Sequence, residues 1–569
     1  MERRGHRPRL VRAVRRESPA VGTAVAPGAA GMSGIHYSDL WQGIAAADPD
    51  RPAIITRRGT MTYARFAAEA GALARHLRAH GVGVGDAAAL LLYNRTEYLT
   101  FFWACLAIGA APVAINYRYR AGEVRALLED SHAKVLIAPT ALGGLAQDAA
   151  AGIDPPVALI SVDDGGPALA GAVAYADIVA GGGTLPPAAP RGAHLRLYTG
   201  GTTGMPKAVV WEMDTLLEAR RHSTWGVIGI EPPADLAGAV RVAIDPTTPR
   251  VATLPLPPML HGTAQSMSMG TLALGGTIVL HDEAHLDLAA ALHLVHEHRV
   301  TRLVVAGDAV ALPFVEAVEA EGRGLPHVDS IFSSGMRFSD AVKRRLHAQG
   351  DIMIVDLLAS SEGGPFAFGT TRSADDLPAR FMLTPGTVLL SEDNTEIPLE
   401  PGALGILAFR GVLPRGYHGD PEKTARAFPT IGEHRYVVPG DWARARGDGS
   451  IELLGRLSAV VNTGGEKVFP AEVEEQLLAH PSVADAVVFG LPHERFGEVV
   501  SAMIVPVEDT EIDLDALVSH LDEHLAGYKK PRHFFIRASL ERSPTGKVEL
   551  ARVKADASRE RDASRQGAR

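Results

Sequence analysis

Ten consecutive residues, Tyr198-Thr199-Gly200-Gly201-Thr202-Thr203-Gly204-Met205-Pro206-Lys207, hold three glycines, three threonines and a lysine directly after a strand-like run. Those types suit a phosphate chain. Glycines let the backbone approach an anion, hydroxyls and amide N–H groups donate hydrogen bonds, and lysine adds a mobile positive charge. A Walker A loop is excluded, because Met205 and Pro206 separate Gly204 from Lys207 and Ala208 follows where a hydroxyl is needed for magnesium. A plain Gly/Thr surface turn is the competing reading, and residues farther along must decide between them.

The loop resembles the signature Tyr-Thr-Ser-Gly-Thr-Thr-Gly-x-Pro-Lys-Gly of the adenylate-forming (ANL) superfamily, which includes acyl-CoA synthetases, adenylation domains and luciferases. Gly201 and Ala208 are its two departures. Further motifs follow in the family's order, and the resemblance runs from about residue 36 to 550. Leu358-Ala359-Ser360-Ser361-Glu362 stands where the family has Tyr-Gly-x-Thr-Glu. The resemblance implies Ser361 beside the α-phosphate and Glu362 as a ligand of Mg2+, a hard cation that prefers carboxylate and phosphate oxygens; Thr199 is the second expected metal contact. Leu358 replaces the tyrosine that stacks on adenine, leaving apolar packing there. Gly335, Met336 and Arg337 are expected across the base, with Asp356 near its amino group.

Pro439-Gly440-Asp441-Trp442 and Gly455-Arg456 match the family's ribose clamp: Asp441 accepts from the ribose hydroxyls and Arg456 donates to them or to phosphate. Gly455 to Ala459 is the implied hinge, with Ser458 where relatives carry aspartate or lysine. Asn462-Thr463-Gly464-Gly465-Glu466-Lys467 resembles the segment lining the pantetheine channel, where Gly464 and Gly465 leave room for a passing chain; Glu466 and Glu472 have either a channel role or a structural one. Ser543-Pro544-Thr545-Gly546-Lys547 matches the C-terminal lysine motif. Lys547 is the implied catalytic residue, neutralising charge as a carboxylate attacks the α-phosphorus. His261, in Met259-Leu260-His261-Gly262-Thr263, aligns with a loop bordering the acyl pocket, and is expected to gate or orient the acid.

The elements that must position these groups form an α/β chain. Short apolar runs alternate with helical patterns between residues 35 and 455: strands are expected at Thr301 to Ala306, Ile352 to Leu358, Gly386 to Leu390 and Gly405 to Phe409, and a helix at Asp340 to Ala348. After Gly455 a smaller α+β unit is expected, with a helix starting at Pro470, strands at Val483 to Phe489 and Val499 to Val505, an amphipathic helix carrying Leu514, Leu517, Val518, Leu521 and Leu525, and a last strand at His533 to Ile536. The expected division is a large N-terminal α/β adenylation domain over 32–456, a small mobile C-terminal α+β domain over 457–553, and a charged tail, 554–569, that frays.

The remaining features bound the function. A chain of 569 residues with 46% hydrophobic and 21% charged residues reads as a globular protein of more than one core. Its net charge of -10 argues against a nucleic-acid partner. Cys105, the single cysteine, lies in an apolar run and reads as a buried small side chain. The apolar stretch from Tyr98 to Tyr117 is broken by Gly109 and Pro112, so a core helix and strand are expected there and a transmembrane segment is not. His293, His296 and His298 read as surface residues. Residues 1–31, with seven arginines in the first sixteen positions, read as a disordered arm or a misassigned start before Met32.

The expected activity is an ATP-dependent acid:CoA ligase of the cytoplasm, with ATP, Mg2+ and CoA as cofactors or co-substrates and a small-molecule carboxylic acid as partner; a homo-oligomer is compatible. The spellings at Tyr198 to Lys207, Met259 to Thr263 and Asn462 to Val468 are similar to actinobacterial synthetases for fatty acids or steroid side-chain acids, which implies a long or bulky apolar substrate. Two alternatives stay open at this point. One is an adenylating enzyme that passes its acyl group to a carrier protein; the other is an inactive nucleotide-binding homologue.

Overall fold

A computed structural model describes residues 34–199, 206–456, 460–463, 466–493, 496–542 and 548–567. The glycine- and threonine-rich tip Gly200–Met205, Ser458, Gly464, Gly465, Lys547 and residues 1–31 lie outside them.

Apolar runs with every position covered become parallel strands, because such strands are buried on both faces. Ala252–Pro255, Arg302–Val305 and Ser330–Ser334 are of this kind, buried at each residue. They sit with Pro52–Thr56, Thr277–Val279 and Met353–Ser360 in the parallel half of a 14-stranded sheet. From Met353–Ser360 the sheet continues antiparallel through Gly363–Thr371 and Phe381–Leu383 to the pair Asp441–Ala445 and Ser450–Arg456. An eight-stranded sheet carries Ala87–Leu90 and Ala111–Ala114 in parallel with His194–Thr199, then turns antiparallel into Lys207–Glu212, with Gly416–Tyr417 on its edge.

Local signals explain several elements. Helix Asp340–His347 starts at Ser339, whose Oγ accepts from the Val342 amide at 3.4 Å, and has Asp340 in its first turn and Arg344, Arg345 and His347 in its last. That arrangement suits both cap and macrodipole. Helix Thr96–Ala107 and strand Ala111–Ala114 replace the expected core helix and strand closely; Trp103 donates from Nε1 to Ser38 Oγ at 3.0 Å, and Cys105 is fully buried, which pushes its thiol up and makes it inert.

The C-terminal unit has a five-stranded sheet with helices Pro470–Ala479 and Leu514–His524 on it. Leu517, Leu521 and Leu525 enter its core, whereas Leu514 and Val518 stay on the outside. An apolar cluster of Ile406, Trp442 and Leu454 with Val460 and Phe469 joins it to the large domain, with the rings of Trp442 and Phe469 5.9 Å apart.

Two expectations need correction. The tail is helical over Leu550–Gly567 and docked, because Leu550, Val553 and Ala557 form a stripe at i, i+3 and i+7 that packs with Phe535, Leu540 and Leu491. Its surrounding charges concealed that stripe. His296 is no surface residue: its imidazole is covered and Nε2 lies 3.0 Å from Glu321 Oε2, while His293 is exposed and His298 half-buried.

Candidate active site

The nucleotide-loop residues bracket a hairpin. Thr199 and Lys207 are cross-strand partners at its loop end, and Thr199 Oγ1 reaches the Lys207 carbonyl at 3.4 Å. The Lys207 ammonium lies 3.8 Å from Asp130 Oδ1, and the other oxygen of that carboxylate accepts from the Tyr198 hydroxyl at 2.7 Å. Burial, then the hydrogen bond to Asp130, push the Tyr198 phenol up, so it stays a donor. Asp130 thus holds the lysine at the loop's base.

The residues Ser360 and Gly363 pair across the next hairpin, which makes Ser361 and Glu362 its two turn residues. Two hydrogen bonds tie this turn to the first hairpin. Trp211 Nε1, from the strand Lys207–Glu212, donates to the Ser361 carbonyl at 2.9 Å. Tyr417, whose strand pairs with that one at Val209, donates from its hydroxyl to Glu362 Oε1 at 2.7 Å. The Ser360 hydroxyl, at the same turn, is buried with no hydrogen-bond partner among the described residues. Leu358, half-buried, packs against the apolar cluster that includes Phe366 and Ala367.

Asp356, expected near the adenine amino group, has a partner within the protein. Its Oδ2 accepts from Lys343 Nζ at 3.0 Å, with both side chains buried, so the carboxylate is committed to an ion pair. Burial raises its pKa and Lys343 opposes that rise. A contact with an adenine amino group would have to share this carboxylate.

The segment Gly335–Arg337 follows the strand Ser330–Ser334 and is bolted in place by residues that sequence reasoning missed. Gly307 donates to Ser333 Oγ at 2.9 Å, Asp308 N donates to the Arg337 carbonyl at 2.9 Å, and Asp308 Oδ1 accepts from Ser339 N at 2.9 Å. Gly307 has φ +52°, and a Cβ there would collide with the Arg337 carbonyl and stand 2.6 Å from Met336 Cβ. Glycine is required twice over. Gly307→Ala is expected to shift the Gly335–Arg337 segment and raise the KM for ATP roughly tenfold while leaving the KM for acid unchanged, measured by pyrophosphate exchange.

Asp441 and Arg456 are directly opposite each other across two antiparallel strands, so residues fifteen apart in sequence share one position in the sheet. His261 precedes helix Gly262–Ala273 as its N-cap residue. The loop before it is clamped: Asn94 Nδ2 donates to the carbonyls of Pro255 and Pro257 at 3.1 and 2.9 Å, Asn94 Oδ1 accepts from Met259 N at 2.7 Å, and the Tyr98 hydroxyl donates to the Met259 carbonyl at 2.9 Å. Glu472 pairs with Lys529, its Oε1 lying 2.5 Å from Nζ.

This geometry suits a nucleotide. The Glu362 carboxylate, held through Oε1, is the kind of protein donor that completes magnesium bound mainly through phosphate oxygens. The residues present therefore fit the metal the sequence implied.

A family model described as AMP-binding enzyme matches residues 41–418, and one described as AMP-binding enzyme C-terminal domain matches 472–547. The chain belongs to the AMP-binding enzyme family. Medium-chain acyl-CoA ligase Mig of Mycobacterium avium is 35% identical over 537 residues, covering 89% of this chain and 95% of that protein. A medium/long-chain-fatty-acid–CoA/3-oxocholest-4-en-26-oate–CoA ligase of Mycolicibacterium smegmatis is 34% identical, covering 93% and 97%. The 3-oxocholest-4-en-26-oate–CoA ligase of Rhodococcus rhodochrous is 32% identical, covering 90% and 94%. In fold, the chain is similar to the anthranilate CoA ligase AuaEII in complex with anthranoyl-AMP, with TM-score 0.78, 20% identity and coverage of 93% and 98%. ATP-bound MatB from Rhodopseudomonas palustris gives 0.74, 23% identity, and 92% and 99%. Both similarities span the large and small units of this family member, which is thus mixed α/β with a large N-terminal and a smaller C-terminal domain.

Proposed function

We infer that the chain is an ATP-dependent acyl-CoA synthetase that converts a hydrophobic carboxylic acid to its CoA thioester through an acyl-adenylate. The observation that carries this reading is the pair of hydrogen bonds from Trp211 and Tyr417 that fasten the phosphate-loop hairpin to the Ser361–Glu362 turn. A phosphate cradle and a carboxylate are thereby held as one unit.

In the first half-reaction an oxygen of the acid attacks the α-phosphorus, the bond to the β-phosphate oxygen breaks, and pyrophosphate leaves. Lys207 and the Thr199–Gly204 loop hold the phosphates; Ser361 lies beside the α-phosphate; Lys547 bridges the two anionic groups that must approach. Glu362 and Thr199 would hold Mg2+, which would supply charge neutralisation on the phosphate oxygens. Asp441 and Arg456 hold the ribose, and Gly335, Met336, Arg337 and Leu358 flank the base. In the second half-reaction the small domain turns about Ser458, withdraws Lys547, and brings Gly464 and Gly465 beside the entering CoA. Its sulfur bonds to the acyl carbon, the bond to AMP breaks, and the thiol proton passes to water.

The substrate is a fatty acid of medium or long chain, or a steroid side-chain acid. Relatives named for those acids support this. The cytoplasm, where ATP and CoA are supplied, is its working compartment; among the described residues no helix is long and apolar enough to cross a membrane. Acid-dependent pyrophosphate exchange across short, long, aromatic and steroid acids tests the substrate class. Each buried CH2 contributes about 0.8 kcal/mol, so kcat/KM should rise by roughly fourfold per added methylene until the pocket is filled. Highest activity with a short polar acid would contradict the reading.

A further inference from the structure

Resting on the metal role assigned to Glu362, we propose that Tyr417 is a positioning residue for adenylation, orienting the Glu362 carboxylate so that one oxygen is kept for the metal ion. A glutamate in a tight turn has a long side chain to immobilise, at a cost in rotamer freedom. The Tyr417 hydroxyl meets that cost in advance by holding Oε1 at 2.7 Å. The second oxygen then has a fixed direction.

Tyr417 is itself rigidly placed. Its amide donates to Thr424 Oγ1 at 2.9 Å, and that hydroxyl donates to the Asp420 carbonyl at 2.7 Å. Gly416 before it has φ +142°, and a Cβ there would collide with Thr424 Cγ2, so only glycine lets the strand reach this position. The ring carries the Lys423 ammonium 4.1 Å from its centre and lies beside Phe428 at 6.0 Å. A cation on that face fixes the ring and withdraws electron density from it, favouring the phenol as donor.

The strand holding Tyr417 pairs with the outer strand of the phosphate-loop hairpin, at Val209, two residues beyond Lys207. A movement of the hairpin therefore moves the tyrosine. Tyr417 couples the seating of the triphosphate to the direction of the carboxylate that takes its metal.

Tyr417→Phe keeps the ring and its lysine contact and removes one hydroxyl. The test is pyrophosphate exchange at saturating acid and ATP, titrated with Mg2+, on wild type, Tyr417→Phe and Glu362→Ala, with thermal melting of each. The expected result for Tyr417→Phe is a roughly tenfold higher Mg2+ concentration at half-maximal rate, the scale of one hydrogen bond to a charged group, with the KM for acid unchanged. Lys423→Met, which leaves the hydroxyl in place, serves as a second variant and should move the midpoint in the same direction by less. A wild-type midpoint in both variants while Glu362→Ala is shifted would overturn the role of Tyr417 and leave Glu362 as metal ligand. An unshifted Glu362→Ala would overturn the metal reading itself, and the proposal with it.

Discussion

Lys547→Ala should lose adenylation by roughly 10²- to 10³-fold while thioester formation from supplied acyl-AMP and CoA stays close to wild type. A carboxylate approaching the α-phosphorus brings a negative charge toward negative phosphate oxygens. A cation about 4 Å from such a charge is worth about 4 kcal/mol at an effective dielectric of 20, enough for the whole expected loss. The asymmetry between half-reactions is the informative part, since the second attack occurs at a carbonyl carbon and gains nothing from a bridging lysine. Rapid-quench measurement of each half-reaction checks it, and equal loss in both would remove the assigned role.

Lys343→Met should destabilise the large domain by about 3–5 kcal/mol, because it leaves Asp356 buried without its counter-ion. Lys343 and Asp356 are 2% and 6% exposed, and their atoms meet at 3.0 Å. Burial already raises the Asp356 pKa with the lysine present, so the variant raises it further. A carboxyl whose folded pKa lies above its unfolded one costs stability at high pH; the penalty is complete above the raised folded value and disappears below the ordinary carboxylate value. The variant's deficit should therefore shrink on acidification, and Lys343→Met with Asp356→Leu should recover most of it. Thermal melting over a pH series reads both effects. The strand Met353–Ser360 that carries Asp356 leads into the Ser361–Glu362 turn, so the ion pair holds the stem of the active-site turn.

The contrast between these two lysines explains what was legible in the sequence. Lys547 stands in a motif whose order relative to Tyr198–Lys207, Glu362 and Asp441 is itself informative, so a role could be proposed for it from the sequence. Lys343 is one of several basic residues on a helix of ordinary polarity, and only folding turns it toward Asp356. Strands and helices with clear periodicity, such as Asp340–His347, Val483–His493 and Leu514–His524, appear close to where their apolar patterns place them. The same local reading missed the supports. Trp211, Tyr417, Asn94 and Asp308 act on residues 29 to 165 positions away, a separation that no periodicity encodes. The docked C-terminal helix was missed for the opposite reason: three apolar residues decide its packing, and the surrounding charges dominate its composition.

The central claim, two half-reactions joined by an acyl-adenylate, is tested most directly by incubating purified protein with ATP, Mg2+ and a long-chain acid, first without CoA and then with it. The account requires acid-dependent pyrophosphate exchange before CoA is added, then AMP and acyl-CoA in equal amounts after it. Exchange that yields adenylate but no thioester on CoA addition would contradict it and point to a different acceptor; no exchange with any acid would contradict adenylation itself.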